Sequence, residues 1–164
     1  MQESQFSLKS LDLKQSPCFA SKYQNIDLNL KPFDRAVAII SIKNQQKILA
    51  YHRSDNLFRL PGGHVEEAEN PTQTARRETL EEVGVSGLEF KKYLASCHLF
   101  YSRNGLPTYC REHYFWFECE YQEWLQKQKD EDGMKSILID QKELLGVLEF
   151  VQYPWLVNLM NGLE

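Results

Sequence analysis

Apolar and polar residues alternate along this chain in a way that changes period several times. Residues 1–30 are mostly polar and irregular, with weak alternation at Ile26, Leu28 and Leu30, and they read as an extension or an added strand. Arg35 to Ile42, RAVAIISI, is a continuous apolar run of the length of a buried strand. Lys43-Asn44-Gln45 makes a turn, and Lys47 to His52 returns as the second strand of a hairpin. Arg59 to Val65 reads as a short strand broken by Pro61-Gly62-Gly63.

A helical segment follows. Asn70 is suited to the N-cap, Pro71 to the first turn and Gln73 to the reciprocal capping position. The helix runs through Val83, and Gly84 fits the left-handed position that ends it. Leu80 and Val83 are expected to point into the core. Leu88 to Ser102 and Leu106 to Glu120 read as two long strands joined at Asn104-Gly105, a strong two-residue hairpin turn. On the second, Arg111, His113, Phe115 and Phe117 share one face, and Glu112, Tyr114, Trp116 and Glu118 share the other. Glu123 to Lys135 reads as loop or weak helix, and Lys142 to Phe150 and Trp155 to Met160 as terminal helices. Periodicity alone gives an α/β or α+β domain.

Composition narrows the class. The chain has 164 residues, enough for one domain with a real core, so residues 1–164 are read as a single unit. It is 42% hydrophobic and 26% charged, as ordinary globular proteins are. A net charge of −4 gives no basic surplus, which argues against a dedicated nucleic-acid surface. No run approaches a membrane span, and MQESQFSLKS has no apolar signal core, so a cytoplasmic protein is expected. Cys18, Cys97, Cys110 and Cys119 are far apart and form no zinc spacing; Cys110 and Cys119 read as buried thiols.

The helix carries the chemistry. Glu78, Glu81 and Glu82 fall within an arc of about 100° on it. Like charges about 4 Å apart at an effective dielectric of about 20 repel by roughly 4 kcal/mol. A fold tolerates such a face if it is solvated or if cations sit there. Mg²⁺ is the natural occupant, because it takes oxygen ligands and is shared between carboxylates and phosphates. Arg77 can offset part of the charge by a forked contact with Glu69. A solvated acidic face is the alternative for an isolated ExxEE. The wider spacing argues against it: Gly63, Glu69, Arg77, Glu78, Glu81, Glu82 and Gly84 match at a chance rate on the order of one in 10⁸ per window.

Gly63 to Val85, GHVEEAENPTQTARRETLEEVGV, resembles the signature of the Nudix hydrolases, with Thr79 where that pattern has an aliphatic residue. Leu60-Pro61-Gly62 before it is similar as well. The resemblance implies an α/β/α sandwich with a mixed sheet. It implies Mg²⁺-dependent hydrolysis of a pyrophosphate bond in a nucleoside diphosphate linked to another moiety, with Mn²⁺ as a substitute. A non-catalytic nucleotide sensor of the same fold is the alternative. By similarity, Glu78, Glu82, Glu81 and the Gly63 or Gly62 carbonyl are the metal ligands. Glu69, Gly62 and Gly84 support the site, and Arg77 orders its charges. The general base is Glu81 or a downstream acid, Glu112, Glu118 or Glu120, with Glu112 the best placed of these. Arg59, His64 and Tyr101 are candidate substrate contacts; Tyr101 stands 16 residues beyond Val85, where a similar tyrosine marks the dinucleoside-polyphosphate hydrolases. His98 and His113 read as structural. The substrate itself, and whether the protein is a homodimer, are open at this level.

Overall fold

The computed structural model describes residues 20–21, 31–54, 57–103, 106–127 and 136–144. The expected features at Cys18, Ile26 to Leu30, Asn104-Gly105, most of Lys142 to Phe150 and all of Trp155 to Met160 lie outside these, as does the side chain of Tyr101. Among the described residues, eight strands and two helices follow one another. They are β1 (Ala20–Ser21), β2 (Phe33–Ile42), β3 (Lys47–Ser54), β4 (Leu57–Arg59), β5 (Gly62–His64), α1 (Pro71–Val83), β6 (Glu89–Arg103), β7 (Leu106–Cys119), α2 (Tyr121–Lys127) and β8 (Ser136–Asp140).

The strands form one mixed sheet in the order β1-β6-β7-β2-β3-β4, with β5 on β2 and β8 on β3. The β1–β6 and β2–β7 pairs are parallel and the others antiparallel. The apolar run read from the sequence becomes β2, the spine of the sheet, with buried residues on both faces. Ala36, Ala38, Ile40 and Ile42 pack with Phe115 and Phe117 toward α1. Val37 and Ile39 pack with Tyr114, Cys97 and Leu144 on the reverse face. Burial on both faces is what the layered α/β/α sandwich requires. Cys97, Cys110 and Cys119 are buried free thiols; desolvation pushes that of Cys119 up to about 12.

Several details differ from the sequence reading. The segment from Arg59 to Val65 is not one strand broken at its glycines. Two strands end and begin at Leu60-Pro61, β4 pairing with β3 and β5 with β2, and the glycines lie inside β5. Pro61 donates no ladder bond, so the chain changes partner there, while its carbonyl still accepts from Ala38 N at 2.8 Å. Ser136–Asp140 is a strand that the polar surroundings concealed, and the helix Tyr121–Lys127 begins two residues before the segment from Glu123 expected as loop or weak helix.

Helix α1 has the predicted ends. Asn70 Oδ1 accepts from Gln73 N at 2.9 Å, and Gln73 Oε1 accepts from Asn70 N at 2.8 Å, so both arms of the capping box close. Gly84 adopts φ 73° and donates to the Leu80 carbonyl. The buried face is narrower than expected. Thr72, Ala75, Thr79 and Val83 face the sheet, whereas Leu80 is 50% exposed. The stripe through Ala75, Thr79 and Val83 is centred about 100° from Leu80, which leaves that leucine on the outer side. Thr79 fits its buried position because its hydroxyl donates to the Ala75 carbonyl at 2.7 Å. Small residues on this stripe let α1 lie close to the sheet, with Glu78 and Glu82 on its shoulder.

Replacing Gly84 by alanine will destabilise the protein by about 1–2 kcal/mol, because a Cβ is disfavoured at that φ. Leu80→Gln will change stability by less than about 0.5 kcal/mol. Urea denaturation curves of the two variants check both values.

Candidate functional site

Strand β2 has two neighbours on the side away from β7. Its first half pairs with β5, Val37 lying opposite Gly62 and Ala36 opposite Gly63; its end pairs with β3 at Ser41 and Ile48. The motif glutamates meet the backbone at β5. Glu82 Oε2 accepts from Gly62 N at 2.9 Å, and its Oε1 accepts from the Tyr51 hydroxyl at 2.7 Å. Burial raises the pKa of Glu82, and the hydrogen bonds from Tyr51 and Gly62 partly oppose that.

Glu78 lies against Gly63. A Cβ at Gly63 would overlap the Glu78 carboxylate, so the absence of a side chain there is what gives that carboxylate its place. Gly63 is therefore required for close approach, not for a turn.

Arg77 gathers the remaining charges. Nε and Nη2 grip Glu69 at 2.8 and 3.1 Å; Nη1 reaches Glu78 at 2.8 Å and Glu81 at 3.2 Å; Nη2 also donates to the His64 carbonyl at 3.2 Å. A guanidinium has five N–H donors, and these five contacts account for all of them. The predicted fork between Arg77 and Glu69 is thus present, and the Thr74 hydroxyl adds a 2.7 Å bond to Glu69. These bonds, that from Arg77 foremost, lower the Glu69 carboxyl to about 2; the Glu69 contact correspondingly raises Arg77.

Glu81 is the most open of the helix carboxylates, with a side chain 56% exposed. Glu78, Glu81 and Glu82 are hard oxygen donors of the kind that hold Mg²⁺. Among the described residues no three His, Cys, Asp or Glu side chains already converge on one cation position. Glu78 is turned to Arg77, and Glu82 to Tyr51 and Gly62.

Of the downstream acids, only Glu112 comes near this assembly. Its side chain is 5% exposed; Oε1 accepts from Arg35 Nη1 at 3.0 Å and Oε2 from the Tyr114 hydroxyl at 2.7 Å. Arg35 Nη2 also reaches the Gly62 carbonyl at 3.4 Å. Glu118 and Glu120 pair with Lys91 and Lys43 toward the other end of β2, since Glu118 is in register with Ser41, about 13 Å along the strand from Val37.

Arg59 lies opposite Tyr51 across β3 and β4, and so beside the Tyr51–Glu82 contact. The exposed His64 ring stacks on Phe33 at 4.8 Å. Tyr101 sits opposite Thr108 on β6. Arg35, Tyr51 and Tyr114 were missed by the sequence reading. Arg35 had a signal, a charge opening an otherwise apolar strand. Tyr51 had none, because its hydroxyl matters only once helix and sheet have met; Tyr114 shares a face with Glu112 in the sequence, but nothing there marks its hydroxyl as a partner.

A second polar group lies on the α1 face of the sheet. Arg111 binds Asp34 through two bonds of 2.6 and 3.0 Å, and His113 Nε2 is 2.9 Å from the same carboxylate. His98 Nδ1 is 2.6 Å from the Tyr109 hydroxyl. Burial pushes the Asp34 pKa up, but the hydrogen bonds from His113 and Arg111 outweigh it, and the net value is lowered. The two histidines, expected to be structural, are both buried in these contacts.

A NUDIX domain family model matches residues 32–158 of the chain. A comparison with curated protein sequences gives no match. Among solved structures, the E. coli dihydroneopterin triphosphate pyrophosphohydrolase superposes with a TM-score of 0.60 at 17% identity, covering 81% of this chain and 97% of the other. A C. elegans Ap4A hydrolase gives 0.55 at 17%, covering 80% and 98%. The E. coli ORF135 protein gives 0.54 at 22%, covering 81% and 89%. These similarities concern the fold. None of the described helices is long and apolar enough to cross a membrane.

Asp34 gives a pH prediction. Its folded pKa is depressed, so its stabilisation is present above the unfolded value near 3.8 and is lost as pH falls through the folded value. Asp34→Asn will be less stable than the wild type at pH 7, and the gap will shrink progressively below about pH 4. Urea denaturation at pH 7 and pH 3 measures both gaps.

Proposed function

We propose, for a chain that belongs to the Nudix family and hydrolyses phosphoanhydride bonds, that its substrate is a nucleoside diphosphate linked to a further group. Nucleotides, dinucleotide polyphosphates and nucleotide sugars are the candidate classes. The names of two structural relatives, an Ap4A hydrolase and a dihydroneopterin triphosphate pyrophosphohydrolase, are in keeping with this range. The observation that carries the reading is the Gly62–Gly63 strand, which receives two carboxylates of one helix: Glu82 on the Gly62 N–H and Glu78 in the space left by the absent Gly63 side chain.

Carboxylates kept together at that density call for a cation. The donor set is oxygen throughout, which fits Mg²⁺, with Mn²⁺ as a substitute. Glu78, Glu82 and Glu81 with the Gly63 carbonyl would hold it. Bound there, Mg²⁺ would supply Lewis acidity toward the phosphoryl oxygens and the attacking water. The protein's own groups do the rest.

Water attacks one phosphorus, the anhydride P–O bond breaks, and a phosphate leaves. Glu81 is our choice for the base that takes the proton, because its carboxylate is the open one. Glu112 is the second candidate, but both of its oxygens already accept hydrogen bonds. Arg77 acts on catalysis by holding Glu69, Glu78 and Glu81 in place; with its five donors committed, it positions the carboxylates and leaves the substrate to other groups. Arg59, His64 and Tyr101 are the proposed substrate contacts, and Gly62, Glu69 and Gly84 keep the loop and helix in register.

Turnover of a nucleotide panel will require Mg²⁺ or Mn²⁺ and will stop in excess chelator; full activity in chelator would remove the metal from the mechanism. Glu82→Gln will lower kcat by more than about 100-fold, beyond the usual loss from an outer-sphere partner. Circular dichroism of this variant should match the wild type, and a near-normal kcat would refute its role as a ligand.

A further inference from the structure

The three motif glutamates of α1 are held in two different ways. Glu78 and Glu81 accept from Arg77, a cation. Glu82 accepts from two neutral donors, the Gly62 N–H at 2.9 Å and the Tyr51 hydroxyl at 2.7 Å. The difference matters to any metal ion that arrives. A guanidinium offsets part of the charge of the carboxylate it holds, whereas a neutral donor fixes an oxygen and leaves the carboxylate its full charge. Glu82 is thus fixed without being bonded to a cation.

Tyr51 is suited to that task. It is 6% exposed and belongs to the core cluster on the α1 side of the sheet. Its backbone lies in register with Arg59 on one edge of β3 and with Ser136 on the other. A tyrosine has only two side-chain torsions, so a ring packed in this way carries its hydroxyl at a set position. The Glu82 carboxylate, by contrast, ends in a broad torsion without sharp staggered wells. The Gly62 N–H ties one oxygen and Tyr51 ties the other, and two tied oxygens define the plane of the group. Each carboxylate oxygen offers two lone-pair sites, so the two donors leave half of them open. Phenylalanine would pack in the same space. The hydroxyl adds a polar group whose burial costs energy unless it is bonded, and its short, charge-assisted bond goes to Glu82.

We infer that Tyr51 is a positioning residue of the cation site, its hydroxyl orienting the Glu82 carboxylate for a divalent cation without cancelling the carboxylate's charge. This rests on the phosphoanhydride reading above and on Glu82 as a metal ligand. Tyr51 acts through Glu82 and touches no substrate. Glu78 and Glu81 divide their charge between Arg77 and the cation, while Glu82 keeps its own for the cation.

The test measures the affinity of the purified protein for Mn²⁺ in the absence of substrate, from the electron paramagnetic resonance signal of the free ion. It compares wild type, Tyr51→Phe and Tyr114→Phe. Tyr114 is the control, because it also donates a buried hydroxyl to a carboxylate at 2.7 Å, but on the reverse face and to Glu112. Tyr51→Phe is expected to bind Mn²⁺ about 10- to 100-fold more weakly, the usual cost of losing the partner of a metal ligand, and Tyr114→Phe to stay within about twofold of wild type. In turnover, Tyr51→Phe should need a correspondingly higher Mg²⁺ concentration for half its maximal rate. Its KM for the best substrate of the panel, measured at saturating Mg²⁺, should match that of wild type. Circular dichroism and urea denaturation in chelator monitor the fold of each variant.

If wild type binds Mn²⁺ and Tyr51→Phe binds it equally well, the hydroxyl is a structural group and the inference is overturned, with the phosphoanhydride reading intact. An equal loss in both tyrosine variants reports a general loosening of the sheet and overturns it too, as does a Tyr51→Phe protein that does not fold. If wild type neither binds Mn²⁺ nor cleaves any pyrophosphate substrate, the proposed function fails, and the inference with it.

Discussion

Five donors on one guanidinium hold the centre of this protein together. Arg77 ties the loop carbonyl of His64, the pre-helical Glu69 and the helical Glu78 and Glu81 into one unit. Each carboxylate alone would repel the others. Bound to one planar cation, they keep fixed positions that a flexible, compact ammonium could not impose. The neighbouring features follow from this. Gly63 must be bare because Glu78 lies against it, and α1 must approach the sheet closely because its glutamates have to reach β5. That approach depends on the small residues at Thr72, Ala75 and Thr79.

The sequence carried α1 almost to the residue, because its ends are written in local chemistry. A capping box, a proline in the first turn and a left-handed glycine act within a few residues of one another. The pairing of Arg77 with Glu69 was legible for a similar reason, since both residues lie near the same helix end. Long-range detail was not. Leu80 was assigned to the core from a rough arc, but which stripe is buried depends on how the helix rolls on the sheet, and that is a tertiary matter. Strand β8 escaped notice because its partner, β3, lies nearly a hundred residues earlier. Glu112 could be nominated from the sequence, and the face it shares with Tyr114 was legible there, whereas its partner Arg35 becomes visible only through the parallel register of β2 and β7.

The sheet divides its labour by face. Toward α1, the aromatic and aliphatic core is bordered by the Asp34–Arg111–His113 group, which closes charges among themselves. On the reverse face, Arg35, Glu112 and Tyr114 border an apolar cluster, with Glu112 buried between the other two. Both groups are partly buried ion pairs, and such pairs contribute little net stability compared with apolar packing. The closed group positions strands.

Strand β5 is only Gly62, Gly63 and His64, and glycine-rich strands specify their pairing weakly, having few side chains to distinguish one alignment from the next. Here the alignment is pinned at both ends, by Ala38 N on the Pro61 carbonyl at 2.8 Å and Val65 N on the Asp34 carbonyl at 3.0 Å. A slip of one residue that carried His64 to the place of Gly63 would leave most of the sheet and α1 unchanged, yet it would put a different amide beneath Glu82 and a side chain where Glu78 needs space. Such a molecule would be folded by most spectroscopic measures and chemically inert. In this protein the two clamps flanking β5 separate a correctly assembled enzyme from a well-packed counterfeit of it.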